Sequence, residues 1–149
     1  MALAVGVAGL CLAACGAGQA SVQNGPTDEV KAADVGGLGK ILVDGEGYTL
    51  YVFAADKGSG KSTCVSTCAD EWPPVTLSPG TTAPIAGPGI EPSLLGITSR
   101  GAGVEQVVYA GWPLYRWPAD SSPGMASGQG VDDSNGLWYA LSSSGKVIR

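Results

Sequence analysis

Histidine is absent from all 149 residues. That removes C-x-x-C-H haem attachment, His-containing zinc sites, and the Ser/His and Cys/His arrangements of nucleophilic catalysis. Basic residues are scarce, with 8 Lys and Arg against 13 Asp and Glu and a formal net charge of −5. Such a balance offers no electrostatic footprint for nucleic acid, and no nucleic-acid partner is expected. Beyond residue 15 the sole thioether is Met125, which with no histidine leaves little for copper or haem handling, and no resident cofactor is expected. A long apolar run is missing too. The stretch from Met1 to Ala14 is uncharged but gives way at Cys15 to Gly16-Ala17-Gly18-Gln19-Ala20-Ser21, short of the roughly 18 residues a membrane span requires.

What is present at the amino terminus reads as a secretion signal over residues 1–14 that ends in a lipobox, Leu12-Ala13-Ala14-Cys15. A branched apolar residue and two small ones precede the cysteine, so Cys15 is expected to take a diacylglyceryl group and become the first mature residue. No Lys or Arg precedes Lys31. The basic opening of such a signal is therefore missing, as expected if the true start lies upstream. The implied location is the outer face of the cell membrane, with the lipid as anchor and no basic cluster to assist it.

Residues 15–36 are rich in Gly, Ala, Ser, Asn and Asp without apolar periodicity and predict a lipidated flexible tether. The remainder, 37–149, suffices for one domain with a core of its own. Three hairpins are predicted. Leu38–Val43 and Tyr48–Phe53 flank Asp44-Gly45-Glu46-Gly47; Val104–Tyr109 and Trp112–Trp117 flank Ala110-Gly111; Leu137–Leu141 and Lys146–Ile148 flank Ser142–Gly145. Cys64 and Cys68 are the cysteines left after the signal and the acylated residue. In an exported setting they are expected to form a disulfide across a short helix near Thr63–Asp70. Trp72-Pro73-Pro74 stops that helix, and the Gly/Pro-rich stretch Ser78–Pro92 is expected to hold no ladder.

Two halves repeat one another. Gly47-Tyr-Thr-Leu-Tyr-Val-Phe-Ala-Ala-Asp56 aligns with Gly111-Trp-Pro-Leu-Tyr-Arg-Trp-Pro-Ala-Asp120, with five of ten positions identical. Tyr51, Phe53 and Asp56 thus correspond to Tyr115, Trp117 and Asp120, with repeat 1 over about 38–77 and repeat 2 over about 94–148. Alternate residues of a strand share a face, so each aromatic pair points one way. The aromatics are expected to build a shared core, and each Asp to accept backbone N–H groups in the turn that follows. The fold class is all-β with little helix: two hairpin-based halves about a pseudo-two-fold axis, sandwich or barrel-like, with one disulfide.

These residues resemble a known family, the bacterial secreted-repeat lipoproteins, characterised by a Tyr-x4-Asp motif and of unknown function. The resemblance runs from about Lys40 to Lys146. It is carried by Gly47-Tyr48-Thr49-Leu50-Tyr51, Cys64-x3-Cys68-Ala69, Trp72-Pro73-Pro74, Gln106-Val107-Val108-Tyr109, Pro113-Leu114-Tyr115, Gly128-Gln129-Gly130 and Trp138-Tyr139. It implies an exported, usually lipid-anchored protein of paired repeats, and it supplies no catalytic residues.

Three functions compete. The first is a binding or scaffold module at the cell envelope, with Trp112, Trp117 and Trp138 lining a groove for a cell-wall glycan or an envelope protein. The second is a divalent-cation site on Asp120, Asp132 and Asp133 beside the loop Ser122–Gly130, although the spacing matches no calcium-loop pattern. The third is a glycan-directed hydrolase using Asp56 and Asp120 as an acid–base pair. No Gly-x-Ser-x-Gly or Ser-x-x-Lys motif supports an enzyme, and Gly58-Ser59-Gly60-Lys61-Ser62 lacks the first glycine of a phosphate loop. The binding module is the expected reading, without catalytic residues.

Overall fold

Val30, Leu42 and Val107 lie on different strands, and all three are fully buried in one aliphatic cluster. The computed structural model describes residues 27–149. Its strands are β1 Glu29–Asp34, β2 Lys40–Asp44, β3 Tyr51–Phe53, β4 Ile85–Ala86, β5 Leu95–Ser99, β6 Glu105–Tyr109, β7 Trp112–Pro113, β8 Asp132–Asp133 and β9 Gly136–Ala140. One short α-helix, α1, spans Thr67–Glu71, and single 3-10 turns lie at Ala54–Asp56 and Pro92–Leu94. They form three small sheets, ordered β2-β1-β4, β3-β9-β8 and β5-β6-β7. The protein is mostly β, as expected, but the sheets do not close into a barrel.

Strands β2 and β6 explain why apolar runs rather than strict alternation mark this sequence. Ile41, Leu42 and Val43 are buried, as are Val107, Val108 and Tyr109, because both faces of each strand are covered. The strand β2 pairs antiparallel with β1 on one side, while the Leu42 N–H donates to Leu141 O at 2.9 Å on the other. The strand β6 pairs with β5, and the Val107 N–H donates to Val75 O at 2.8 Å.

The two repeats exchange their central segments. The strand β3 pairs not with its own hairpin neighbour but with β9, placing Tyr51 opposite Ala140 and Phe53 opposite Trp138. In return, Arg116 N–H donates to Pro73 O and Leu114 O accepts from Val75 N–H, both at 2.9 Å. At the centre, Tyr51 and Tyr115 bond each other through both main-chain pairs, at 2.8 and 2.9 Å. The predicted first hairpin survives as a turn with a single bridge, Val43 to Thr49, before the chain crosses over. The second hairpin forms only over its first residues, through β6–β7 and the Leu114 N–H to Val107 O, before Tyr115 and Arg116 turn to the other repeat, and the third forms as a single bridge, Leu141 to Val147.

Two boundaries differ from the sequence reading. Residues 29–34, expected in the tether, form β1 and bury Val30 completely against Leu42 and its neighbours. The small Ala32 and Ala33 gave this strand little apolar signal, yet its ladder with β2 runs five pairs long. Within the Ser78–Pro92 stretch, Ile85 and Ala86 do make a short parallel ladder with Glu29 and Val30. The helix begins four residues later than expected, and the disulfide joins Cys64 to Cys68 with their Cα atoms 5.2 Å apart. The signal, the lipobox and Cys15 lie outside the described residues. Among the described residues no helix is long and apolar enough to cross a membrane.

The domain boundary is open to a direct test. A chain beginning at residue 27 is expected to melt at the temperature of one beginning at residue 15. One beginning at 37 lacks β1 and is expected to lose cooperative unfolding in circular dichroism. Equal melting of the two shorter chains would show β1 to be dispensable.

Candidate functional site

The motif residues converge on the seam between the repeats. Tyr51 follows the apolar run of its segment and is fully buried, as is Tyr115. Burial of a phenol obliges its hydroxyl to find a partner, and each finds the Asp of the opposite repeat. Tyr51 Oη donates to Asp120 Oδ2 at 2.6 Å, and Tyr115 Oη to Asp56 Oδ2 at 2.7 Å. The second oxygen of each carboxylate serves its own repeat. Asp56 Oδ1 accepts from the Thr63 N–H and Oγ1 at 2.7 and 2.6 Å; Asp120 Oδ1 accepts from the Ser127 N–H and Oγ at 2.8 and 2.6 Å.

Each loop after the Asp also reaches the hairpin glycine of the other repeat. Gly60 N–H donates to Gly111 O at 2.7 Å, and Gly124 N–H to Gly47 O at 3.2 Å. Gly111 has φ +81°, and a Cβ there would lie 2.6 Å from Gly58 O, so the approach admits no side chain. Gly128 is confined in a different way. Its N–H donates to Tyr51 Oη at 3.1 Å, and a Cβ would sit 2.8 Å from the Tyr51 ring.

Around this polar seam the aromatics form a four-ring stack. Trp72 and Trp138 lie parallel at 4.0 Å, with Trp117 stacked on Trp72 at 4.1 Å and Phe53 on Trp138 at 4.4 Å. Tyr51 meets the edge of Trp72 and Tyr115 that of Trp138, at 5.6 and 5.1 Å. The expected shared aromatic core is thus present, but its central ring includes Trp72, read from sequence only as a helix stop. Trp138, expected on a ligand surface, is fully buried instead. Its indole Nε1 donates to Asp133 O at 3.1 Å. Trp112 is partly buried, its ring packed over Gly58.

The suggested cation ligands do not converge. Asp120 is committed to Tyr51 and Ser127, whereas Asp133 Oδ2 accepts from Trp72 Nε1 at 2.9 Å and Oδ1 from the Ser134 N–H at 2.7 Å. Asp132 lies exposed in β8. Among the described residues no group of three or more His, Cys, Asp or Glu is placed to hold a metal ion. The pair Asp56 and Asp120 likewise does not present free carboxylate oxygens to a cleft, since each carries three hydrogen bonds.

One further buried carboxylate was not anticipated. Asp44 Oδ1 accepts the N–H groups of Glu46, Gly47 and Tyr48 at 2.9–3.0 Å and so shapes the turn. Its Oδ2 receives Arg116 Nη2 at 2.9 Å, an ion pair almost wholly out of solvent that again joins one repeat to the other. Only the Asp-Gly turn hinted at it in the sequence; nothing local indicated Arg116.

Burial, reinforced by the neighbouring Asp120 and Asp56 carboxylates, pushes the Tyr51 and Tyr115 hydroxyls well above their ordinary pKa of 10.0. The folded state therefore holds these protons where an unfolded chain releases them. Their contribution to stability is full below pH 10 and falls as pH rises above it. Tyr51→Phe or Tyr115→Phe is expected to cost about 2 kcal/mol in chemical denaturation, since a donor to a buried carboxylate is lost. The double variant should also show a shallower fall in melting temperature above pH 10. A wild-type slope in that variant would mean that these hydroxyls do not govern the alkaline loss.

A family model described as a secreted repeat of unknown function matches residues 33–76 and again 96–142, together more than half of the chain. No curated protein and no solved structure matches. The two matched segments coincide with the two repeats whose Tyr and Asp residues bond across the seam, and the chain belongs to this family of secreted repeats.

Proposed function

We propose that this is an exported lipoprotein, held at the outer face of a bacterial cell membrane through Cys15, whose domain is a non-catalytic binding or scaffold module of the envelope. The observation that carries the non-catalytic part is the engagement of both motif carboxylates. Asp56 and Asp120 are each buried and bonded to a Tyr of the other repeat and a hydroxyl residue of their own. A general acid or base needs an oxygen within reach of substrate, and these oxygens are turned inward. The reciprocal contacts support a pseudo-two-fold relation between the halves, with the Trp72–Trp138 stack near its axis. Binding then falls to the loops and the sheet edges.

Export and anchoring rest on the apolar stretch Met1–Ala14 and the Leu12-Ala13-Ala14-Cys15 sequence, together with the secreted character of the family. A diacylglyceryl group supplies enough buried methylenes to hold a domain whose described residues include no spanning helix.

In an expressing bacterium, the wild-type chain is expected in the membrane fraction, released by detergent and not by salt. Cys15→Ser should move it to the soluble or medium fraction, with the acyl mass gone from the amino terminus. Unaltered fractionation of Cys15→Ser would rule out anchoring through this residue. A thermal-shift screen of the domain against calcium and neutral and acidic glycans then tests the module itself, because a ligand of the folded state raises the melting temperature. The expected result is a shift with a glycan. A shift with calcium alone, abolished by Asp132→Asn, would replace this reading with cation binding.

A further inference from the structure

Two ion pairs occur among the described residues, Lys40 with Asp34 and Arg116 with Asp44. Arg100 and Lys61 take part in neither, although the chain as a whole is acidic. Both line a surface cavity of about 400 Å³ together with Ser62, Val65, Thr98 and Ser99.

Arg100 is held rigidly there. Its Nη1 donates to Ser62 Oγ at 2.6 Å and to Gln106 Oε1 at 2.8 Å, while Nη2 donates to Cys64 O at 2.8 Å. The supports are themselves fixed. Gln106 is fully buried and donates through Nε2 to Leu114 O at 2.8 Å; Cys64 is tied by its disulfide to Cys68. All three acceptors are neutral, so the guanidinium is oriented without its charge being matched. Of its five N–H groups two are left over. Glu105, opposite Ser99 in the β5–β6 ladder, lines a different cavity with residues 76–81. Lys61 is exposed at the same opening.

An immobilised guanidinium with an unmatched charge, partly shielded from water, is a receptor for a planar or tetrahedral oxyanion. The rest of the lining is suited to the body that carries it: hydroxyls from Thr98 and Ser99, and Val65, 59 % exposed, as an apolar wall, while the Ser62 hydroxyl is already committed to Arg100, Tyr115 and Cys64 O. We propose that this cavity, between the disulfide loop and the edge strand β5, binds an acidic saccharide unit, with Arg100 receiving its carboxylate or phosphate and Lys61 closing over it. The proposal rests on the binding-module reading and names its ligand class and its site.

The test is isothermal titration of the intact domain with glucuronate, glucose 6-phosphate, glucose, acetate and inorganic phosphate, at low and at physiological salt. One or both of the acidic sugars should bind, glucose should not, and the affinity should fall with added salt. Preference for glucuronate or for glucose 6-phosphate tells a carboxylate from a phosphate source. Lys61→Gln, at an exposed residue whose side chain supports nothing, should weaken binding by about threefold with an unchanged melting temperature. Arg100→Gln should weaken it by about tenfold or more. Acidic sugars that fail to bind, or that bind equally to Lys61→Gln and Arg100→Gln, would overturn the site. Acetate and inorganic phosphate binding as tightly as the sugars would overturn the saccharide assignment. A neutral glycan that shifts the melting temperature of the wild type and of both variants alike would leave the binding module standing while removing this cavity from it.

Discussion

Two carboxylates that cannot be solvated determine how this protein is put together. Asp56 and Asp120 are almost wholly buried, and an ionised carboxylate removed from water is tolerated only when its oxygens are hydrogen-bonded. Each repeat can supply half of what its own Asp needs, through Thr63 or Ser127. The other half comes from a phenol across the seam. The polar requirement is thereby converted into a requirement for the partner repeat, and the aromatic stack and exchanged strands fall into place around it. Asp44 with Arg116 adds a third buried carboxylate joined across the repeats.

Much of this was legible in the sequence, and the limits have physical causes. Alternation within Tyr51–Phe53 and Tyr115–Trp117 correctly indicated common faces, because the period of a strand is local. The disulfide followed from the compartment and the short spacing of Cys64 and Cys68. What eluded reading was every choice of partner at long range. Nothing near Tyr51 indicates that its strand leaves its own hairpin for β9, since pairing across repeats and within a repeat satisfies the same local pattern. Trp138 and Trp72 show the same limit, for a tryptophan in a stack and one in an open groove are written alike. Residues 29–34 were misread for a different reason. Two alanines and two flanking acids carry little β propensity, and the strand forms because its neighbours offer a ladder and a pocket for Val30.

The division of labour between seam and surface follows from this construction. The Tyr and Asp residues common to the two repeats are occupied with holding the repeats together, so what the protein meets outside is left to parts that the repeat does not dictate. The disulfide loop is one such part: it follows Asp56, positions Thr63 for that carboxylate, and offers its outer side, with Lys61 and Val65, to solvent. The corresponding loop after Asp120 makes the same inward contacts without a disulfide.

The interlocking of the repeats also bears on the order of events as the chain is made. The bonds from Tyr51 to Asp120, Tyr115 to Asp56 and Arg116 to Asp44 link residues 69, 59 and 72 apart. Contacts of such separation slow folding, because a long loop must close before any reward is gained. While only the first repeat has emerged, Asp56 lacks its phenol, β3 lacks β9, and Trp72 lacks the ring it lies against. The leading half can pair β1 with β2 and β4 by itself, but its side of the seam stays open until the trailing half arrives. In a family of secreted repeats, the buried carboxylates are thus satisfied only in a chain whose two repeats have both been made.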